Sequence, residues 1–281
     1  MRWSPGGRSP NLEDRRGGGG PSLRVGGGIG IGGLLLLVIL SLIFKQDFLS
    51  LVGAGGSVAP TGTGSAPVSD PNEEPQVQFV SFVLDDTQRT WQELLQREGT
   101  RYPEAQLVLF RNAVESACGF AQSASGPFYC PADQRVYIDL SFFEELHTRF
   151  GAPGDFAQAY VLAHEIGHHV QNVLGIERQV RGEQQANPRQ RNELSVRMEL
   201  QADCFAGVWG HSTQQRNILE EGDVDEGLGA ASAVGDDRLQ AGSGRINPDS
   251  FTHGTSEQRA RWFRRGFSSG NPADCNTFAQ P

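Results

Sequence analysis

Residues 156–174 read FAQAYVLAHEIGHHVQNVL, and this stretch decides the fold of the chain. Its apolar residues recur every three or four positions, which is the spacing of an amphipathic helix. Asp155 precedes the stretch as a candidate N-cap, and Gly175 follows it as a candidate C-terminal stop. The sequence therefore predicts one helix that carries the motif HEIGH near its centre.

The HEIGH motif places His164 and His168 four residues apart, and so on one face of the predicted helix. Two imidazoles on one face can bind the same metal ion, and this spacing is typical of zinc sites. Glu165 would then lie beside the metal, where a carboxylate can take a proton from an activated water. A third histidine, His169, lies about 100° further round the helix and is expected at the surface or behind the site. The alternative is a core helix with histidines on its polar edge.

A catalytic zinc site usually has three protein ligands and a water, so a third ligand should come from another element. The stretch 190–209, QRNELSVRMELQADCFAGVW, is also helix-like and contains Glu199 and Asp203 four residues apart. We expect Glu199 to bind the metal and Asp203 to accept a hydrogen bond from a ligand histidine, which orients that histidine. Apolar neighbours on nearly all sides argue against a solvated pair of carboxylates. Glu193 is the alternative third ligand.

Five stretches together resemble the neutral zinc metallopeptidases of bacteria, over roughly residues 79–275. They are CPADQRVYIDLSFF from Cys130, YVLAHEIGHHVQ from Tyr160, SVRMELQADCFAGVWG from Ser195, AVGDDRLQ from Ala233 and FTHGTSEQRARWFRRGF from Phe251. The resemblance implies an α+β, zincin-like fold with a small sheet and a helical core that bears the ligands. It also implies a Zn²⁺ site of His164, His168 and Glu199, with Glu165 as general base, in an enzyme that hydrolyses peptide bonds.

A peptidase needs a further donor for the oxyanion that develops during hydrolysis. His253, in the stretch FTHGTSEQR, is the candidate catalytic residue for this role, and His211 is the runner-up. His253 could equally be a turn residue bonded to nearby backbone. An extended substrate would add to the sheet as a strand, and the predicted strand 135–140 is the candidate edge for it.

Two other functions fit the same residues. One is a binding or regulatory module of the cell envelope, in which zinc is only structural. A closed tetrahedron of four protein ligands would support that module, and an open water position would oppose it. The other is a zinc hydrolase that acts on cell-wall peptides, which the sequence does not separate from a protease.

The first quarter of the chain is predicted to lie outside the folded domain. Residues 1–24 are rich in Gly, Pro and Arg and are predicted to be disordered. Residues 25–44 carry no charge and can span a bilayer, so they predict a transmembrane helix, with a cleaved signal peptide as the alternative. Arginines precede this segment and Lys45 alone follows closely, so the N-terminus is expected in the cytoplasm and the domain outside. Residues 45–75 predict a flexible linker, and 76–281 the metallopeptidase domain.

The chain of 281 residues has 24 basic and 33 acidic side chains, and a formal net charge of −9 does not indicate nucleic-acid binding. All four cysteines follow the predicted membrane segment, and an even count outside the cytoplasm suggests disulfides. Of the three connectivities, Cys118–Cys130 and Cys204–Cys275 are favoured, the second tying the C-terminus to the helix of Glu199. Zinc binding by thiolates is the competing interpretation, but no CxxC spacing supports it. Nothing in the sequence predicts the oligomeric state.

Shorter elements complete the prediction. Residues 86–97 predict an amphipathic helix, and residues 106–113 and 135–140 predict strands. Ser141 is a candidate N-cap for a helix that continues to about Thr148.

Overall fold

A computed structural model describes residues 1–17, 71–123, 126–241 and 246–279. Within these residues the chain forms a helix-rich α+β fold with a small sheet. The strands are β1 (Leu12–Asp14), β2 (Gln106–Phe110), β3 (Ala113–Ser116), β4 (Gly119–Gln122), β5 (Phe128–Cys130) and β6 (Arg135–Asp139). The helices are α1 (Glu74–Arg97), α2 (Ser141–Thr148), α3 (Asp155–Val173), α4 (Ile176–Ala186), α5 (Arg191–Gln215), α6 (Asp223–Ala233), α7 (Asp236–Ala241) and α8 (Ser256–Ser269). Single 3₁₀ turns lie at Pro71–Glu73, Pro188–Gln190, Pro248–Ser250 and Pro272–Cys275.

The main sheet has the strand order β1-β2-β6-β5, while β3 and β4 form a separate hairpin. β1, β2 and β6 are parallel, and β5 runs antiparallel to β6 with Cys130 opposite Arg135. The prediction that 135–140 is an edge strand is therefore wrong, because β6 is paired on both sides. The short turn between Cys130 and Arg135 folds β5 back onto β6, so β5 becomes the edge that faces helix α3.

Several predicted elements have different ends in the structure. The strand predicted over 106–113 stops at Phe110, because the chain turns at Asn112 with a positive φ of 66° and then begins β3. Helix α1 starts at Glu74, twelve residues before the predicted start at Asp86. The prediction missed its first half because buried polar side chains such as Ser81 obscure the amphipathic pattern there. Helix α5 starts at Arg191, close to its predicted start, and continues six residues beyond the predicted end at Trp209, to Gln215.

Neither predicted N-cap residue caps its helix. Ser141 and Asp155 are the first helical residues of α2 and α3. Leu140 occupies the N-cap position of α2, and the Asp139 carboxylate before it accepts the Ser141 N–H at 3.0 Å. The glycine stop of α3 is where it was predicted, because Gly175 adopts a left-handed conformation with a φ of 75°.

The prediction of a disordered tail over 1–24 is wrong for residues 1–17. These residues pack on the domain and add β1 to the sheet. Strand β1 exists only through its pairing with β2, which is distant in sequence, so the local composition does not reveal it. Residues 71–75 of the predicted linker are likewise helical. The predicted transmembrane segment 25–44, with most of the linker, lies outside the described residues. Among the residues that are described, no helix is both long and apolar enough to cross a membrane.

Both predicted disulfides are present, with Cα–Cα distances of 5.8 Å for Cys118–Cys130 and 5.6 Å for Cys204–Cys275. The second joins α5 to the chain that follows α8. All four cysteines are therefore bonded, so the competing thiolate ligands for zinc are not available.

Three helices meet at glycines in the core. A Cβ on Gly167 of α3 would lie 3.0 Å from the Ala202 carbonyl oxygen of α5, and one on Gly266 of α8 only 1.9 Å from the Cys204 carbonyl oxygen. The backbones thus approach more closely than any side chain allows. This contact brings the histidines of α3 and residues of α8 against the same stretch of α5.

We expect Gly266→Ala to lower the free energy of unfolding by about 1–3 kcal/mol, because the added methyl must separate α8 from α5. Gly182 is the matched control, since it lies in helix α4 with nothing within 4 Å of an added Cβ. Gly182→Ala should instead raise the free energy of unfolding by up to about 1 kcal/mol through helix propensity. Urea unfolding of both variants tests this, and equal changes would contradict the proposed close contact.

Candidate metal centre and its cleft

The structure brings His164, His168 and Glu199 together, with their candidate ligand atoms all within 4.8 Å of one another. The His164 Nε2 lies 3.2 Å from Glu199 Oε2, and the His168 Nε2 lies 3.4 Å from Glu199 Oε1. A tetrahedral zinc with ligands at about 2.0–2.1 Å separates its ligand atoms by about 3.3 Å. The two separations from the Glu199 carboxylate match this spacing, so the three side chains are placed to hold a zinc ion. Glu193, the alternative ligand, instead forms an exposed ion pair with Arg197 at 2.7 Å.

The electrostatics of the group also favour a cation. Burial disfavours a charged His164, yet the carboxylates of Asp203 and Glu199 raise its pKa to about 10. Burial would likewise raise the pKa of Glu199, but His168 and His164 hold it well below its usual range. A site that holds a proton this firmly also suits a divalent cation, which releases that proton when it binds.

Each candidate ligand histidine is oriented through its Nδ1 atom. The His164 Nδ1 lies 2.8 Å from the Asp203 carboxylate, the contact expected from the sequence. The His168 Nδ1 lies 2.9 Å from the Gln171 side-chain oxygen. Gln171 presents that oxygen because its amide group donates to the Met198 carbonyl at 2.8 Å. Both Nδ1 atoms thus donate, which leaves both Nε2 lone pairs for a metal.

Asp203 is fully buried, and a buried charge needs several partners. Arg259 of α8 supplies two of them, with Nε 2.8 Å from Oδ2 and Nη2 2.9 Å from Oδ1. The Tyr160 hydroxyl donates to the same Oδ1. Burial would raise the pKa of Asp203, but Arg259 and His164 lower it below its ordinary value. Asp203 is therefore held as an anion against His164.

Glu165 is buried, with 7% of its surface exposed, beside the two histidines that flank the candidate metal position. Burial raises the pKa of its carboxyl above the ordinary value, against the opposing effects of His164 and His168. A raised pKa brings a carboxylate closer to the range in which a general base works well near neutral pH.

The candidate ligands and Glu165 line a cleft of about 760 Å³. Its walls include the edge strand β5 and a set of apolar side chains. These are Phe128, Tyr129, Phe142, Phe150, Val161 and Leu239. The group is therefore open to a space that accommodates several residues of an extended chain.

His253 also lines this cleft, with 48% of its side chain exposed. Its Nδ1 lies 3.2 Å from Asp236 Oδ1, and Asp236 Oδ2 accepts the backbone N–H groups of Thr252, His253 and Gly254 at 2.6–3.0 Å. Asp236 thus fixes the loop that presents His253. The runner-up, His211, faces elsewhere, since its Nδ1 donates to the Phe267 carbonyl at 2.8 Å.

His169 is fully buried, so of its two expected positions, at the surface or behind the site, the structure shows the second. Its Nε2 donates to the Pro103 carbonyl at 2.7 Å, and its Nδ1 therefore accepts from the Tyr129 hydroxyl at 2.9 Å. His169 lies behind the site and holds Tyr129 in the wall of the cleft. The helix turns it towards the sheet, which a helical periodicity without a known partner does not reveal.

Four residues of the site escaped the sequence analysis: Tyr160, Gln171, Asp236 and Arg259. Arg259 was visible only as a charged residue in the stretch that follows His253, and its partner Asp203 lies 56 residues away in sequence. Asp236 was one of two adjacent aspartates in AVGDDRLQ, with no signal that linked it to His253.

A sequence model of the family described as "Putative neutral zinc metallopeptidase" matches residues 1–278. The chain belongs to this family. The matched range begins at residue 1 and so includes the tail that packs on the domain.

Two proteins with similar sequences carry names that assign no activity. The chain is 51% identical over 288 residues to "Uncharacterized protein YpfJ" of Escherichia coli K12, which covers all of this chain and 99% of that protein. It is 44% identical over 190 residues to "Uncharacterized protein Rv2575" of Mycobacterium tuberculosis H37Rv, which covers 63% of this chain and 64% of that protein. No solved structure matches the chain.

Proposed function

We propose that the protein is a zinc-dependent metallopeptidase with a zincin-like fold, and that the cleft above His164, His168 and Glu199 is its active site. The observation that carries this proposal is a group of three candidate zinc ligands at the cleft, where a catalytic zinc keeps a fourth position open. A structural zinc would need a closed set of four ligands. All four cysteines are engaged in disulfides, so no thiolate can supply the fourth.

In the proposed mechanism, a zinc ion held by His164, His168 and Glu199 would supply a Lewis acid for the scissile carbonyl and for a water molecule. Glu165 takes a proton from the attacking water and passes it to the leaving amine. Asp203 and Gln171 hold the imidazoles of His164 and His168 in the tautomer that leaves Nε2 free.

His253 is proposed to donate a hydrogen bond to the oxyanion. Its Nδ1 lies 3.2 Å from Asp236 Oδ1 and 3.1 Å from Thr252 Oγ1, so Nε2 is the ring nitrogen left to donate to the oxyanion. The exposed position of His253 lets its ring move toward a substrate in the cleft.

We propose that an extended peptide adds to the sheet at β5. The edge of β5 faces helix α3, and residues 127–129 and 131 line the cleft beside the candidate ligands. Main-chain hydrogen bonds to β5 would supply affinity, and the apolar walls at Phe142, Phe150 and Val161 would favour large apolar side chains. These features favour a peptide chain over a small-molecule substrate.

The test is cleavage of a peptide library by the full chain, purified with zinc. We expect cleavage to stop when zinc is removed by a chelator and to return when zinc is added back. Hydrolysis that is unaffected by complete zinc removal, or none with zinc present at one ion per chain, would contradict the proposal. Cell-wall peptides in the same library distinguish a protease from a cell-wall hydrolase.

His253→Ala should lower kcat by about 100- to 1000-fold, the usual loss when an oxyanion donor is removed, with little change in zinc content. His147 is the matched control, because it is an exposed histidine on helix α2. Steady-state kinetics of both variants test the role. If His253→Ala and His147→Ala have equal kcat, His253 is only a loop residue.

A further inference from the structure

Residues 1–17, which we name the docked tail, contain β1, the outer strand of the main sheet. The Leu107 N–H of β2 donates to the Asn11 carbonyl at 2.8 Å, and the Arg15 N–H donates to the Leu109 carbonyl at 2.8 Å. Leu107 and Leu109 are fully buried, so this side of β2 belongs to the core. The tail therefore covers a sheet edge that would otherwise present unpaired backbone groups.

The arginines of the docked tail are paired with carboxylates. Arg16 is 6% exposed and binds Asp14 and, across the chain, Glu73, each at 2.7 Å. Arg8 binds the Glu74 carboxylate through two nitrogen atoms, and Asp14 at 3.0 Å. Glu73 ends the 3₁₀ turn before helix α1 and Glu74 is the first residue of α1, so these pairs join the tail to the domain. A buried arginine such as Arg16 is stable only while these partners are present.

An aromatic contact and the chain's amino group add to this attachment. Trp3 packs edge-on against Phe79 of α1, with ring centroids 5.3 Å apart. The Met1 amino group lies 2.6 Å from the Asp155 carboxylate at the start of helix α3. The contacts thus run along most of the tail, from the sheet edge to the helix that carries HEIGH.

These contacts conflict with the topology that the sequence suggested. That prediction placed residues 1–24 in the cytoplasm because their arginines precede the apolar segment 25–44. Arg8 and Arg16 are instead bound by carboxylates of the tail and the domain. These ion pairs account for the positive charges, which therefore do not by themselves indicate a cytoplasmic segment. A strand cannot pair with another across a hydrocarbon layer of about 30 Å.

We propose that the docked tail is a permanent part of the catalytic domain and lies with it on the extracytoplasmic side of the membrane. The two disulfides of the domain place this shared side in an oxidising compartment. The proposal rests on the tail contacts and is independent of zinc binding or peptidase activity. It replaces the predicted cytoplasmic N-terminus.

The first test is a cross-link in the full chain within its native membrane. The Asn11 side chain accepts a hydrogen bond from Gln106 at 2.9 Å, so cysteines at these two positions would face each other. The native cysteines are all in disulfides, so only the new thiols react. We expect Asn11→Cys/Gln106→Cys to form an intramolecular disulfide on mild oxidation, seen as a shift on a non-reducing gel. Reactive thiols at both positions without a link would overturn the proposal.

The matched control is Asn11→Cys/Ser269→Cys, because Ser269 ends helix α8, which packs on α5 and α6. This pair should give no link. The second test labels the single variants Asn11→Cys and Ser269→Cys with a membrane-impermeant maleimide in intact spheroplasts. We expect both to be labelled from outside after the tail is loosened with mild denaturant. Labelling of Ser269→Cys alone, or of neither, before the membrane is broken would overturn the proposal.

Discussion

Glu199→Ala is expected to remove almost all bound zinc from the purified full chain, and peptide hydrolysis with it. Glu199 provides the only carboxylate that lies within reach of both imidazole Nε2 atoms, at 3.2 and 3.4 Å, among the residues that the structure describes. Loss of a direct ligand leaves two histidines, too few to hold zinc in a tetrahedral protein site. Metal content and activity measured on the same sample test this result.

Two other carboxylates of the same helix make this prediction specific. Asp203→Ala should weaken zinc binding or turnover by only about 10- to 100-fold, because Asp203 orients His164 and does not reach the metal. Glu193→Ala should leave zinc content unchanged, since Glu193 lies in an exposed pair with Arg197. Equal and negligible effects of Glu199→Ala and Asp203→Ala would contradict the assigned roles.

Glu165→Gln is expected to lower peptide hydrolysis by about 100- to 10,000-fold while zinc content stays at the parent level. The amide keeps the size and burial of the side chain but cannot accept a proton from water. Retained zinc separates this result from loss of the metal site, and the circular dichroism of the variant checks its fold. Hydrolysis near the parent rate would show that another group is the base.

The sequence predicted the elements whose evidence is local. The four-residue spacings of His164 with His168 and of Glu199 with Asp203 each lie within one helix, where periodicity fixes a shared face. These spacings were enough to predict the cluster of His164, His168 and Glu199 that the structure brings together. The even number of cysteines indicated disulfides, and the favoured pairs of the three connectivities are the ones in the structure.

The sequence did not predict what depends on pairing between distant segments. Asn11 and Gln106 are 95 residues apart, and nothing in the composition of a Gly- and Arg-rich tail indicates a strand partner. Arg259 meets Asp203 only because glycines let α8 approach α5. The edge position of β5 follows from its reversal onto β6, which strand patterns alone do not specify. The docked tail and the buried Arg259 are therefore the main features that the structure shows and the sequence did not predict.

X-ray absorption at the zinc edge of the full chain tests the central claim most directly. The account predicts about one zinc per chain, bound by two imidazole nitrogens and oxygen atoms at about 2.0–2.2 Å, with one oxygen from water. In Glu199→Ala this signal should be lost. A shell that contains sulfur at about 2.3 Å, or a third imidazole in place of the water, would contradict an open catalytic zinc site.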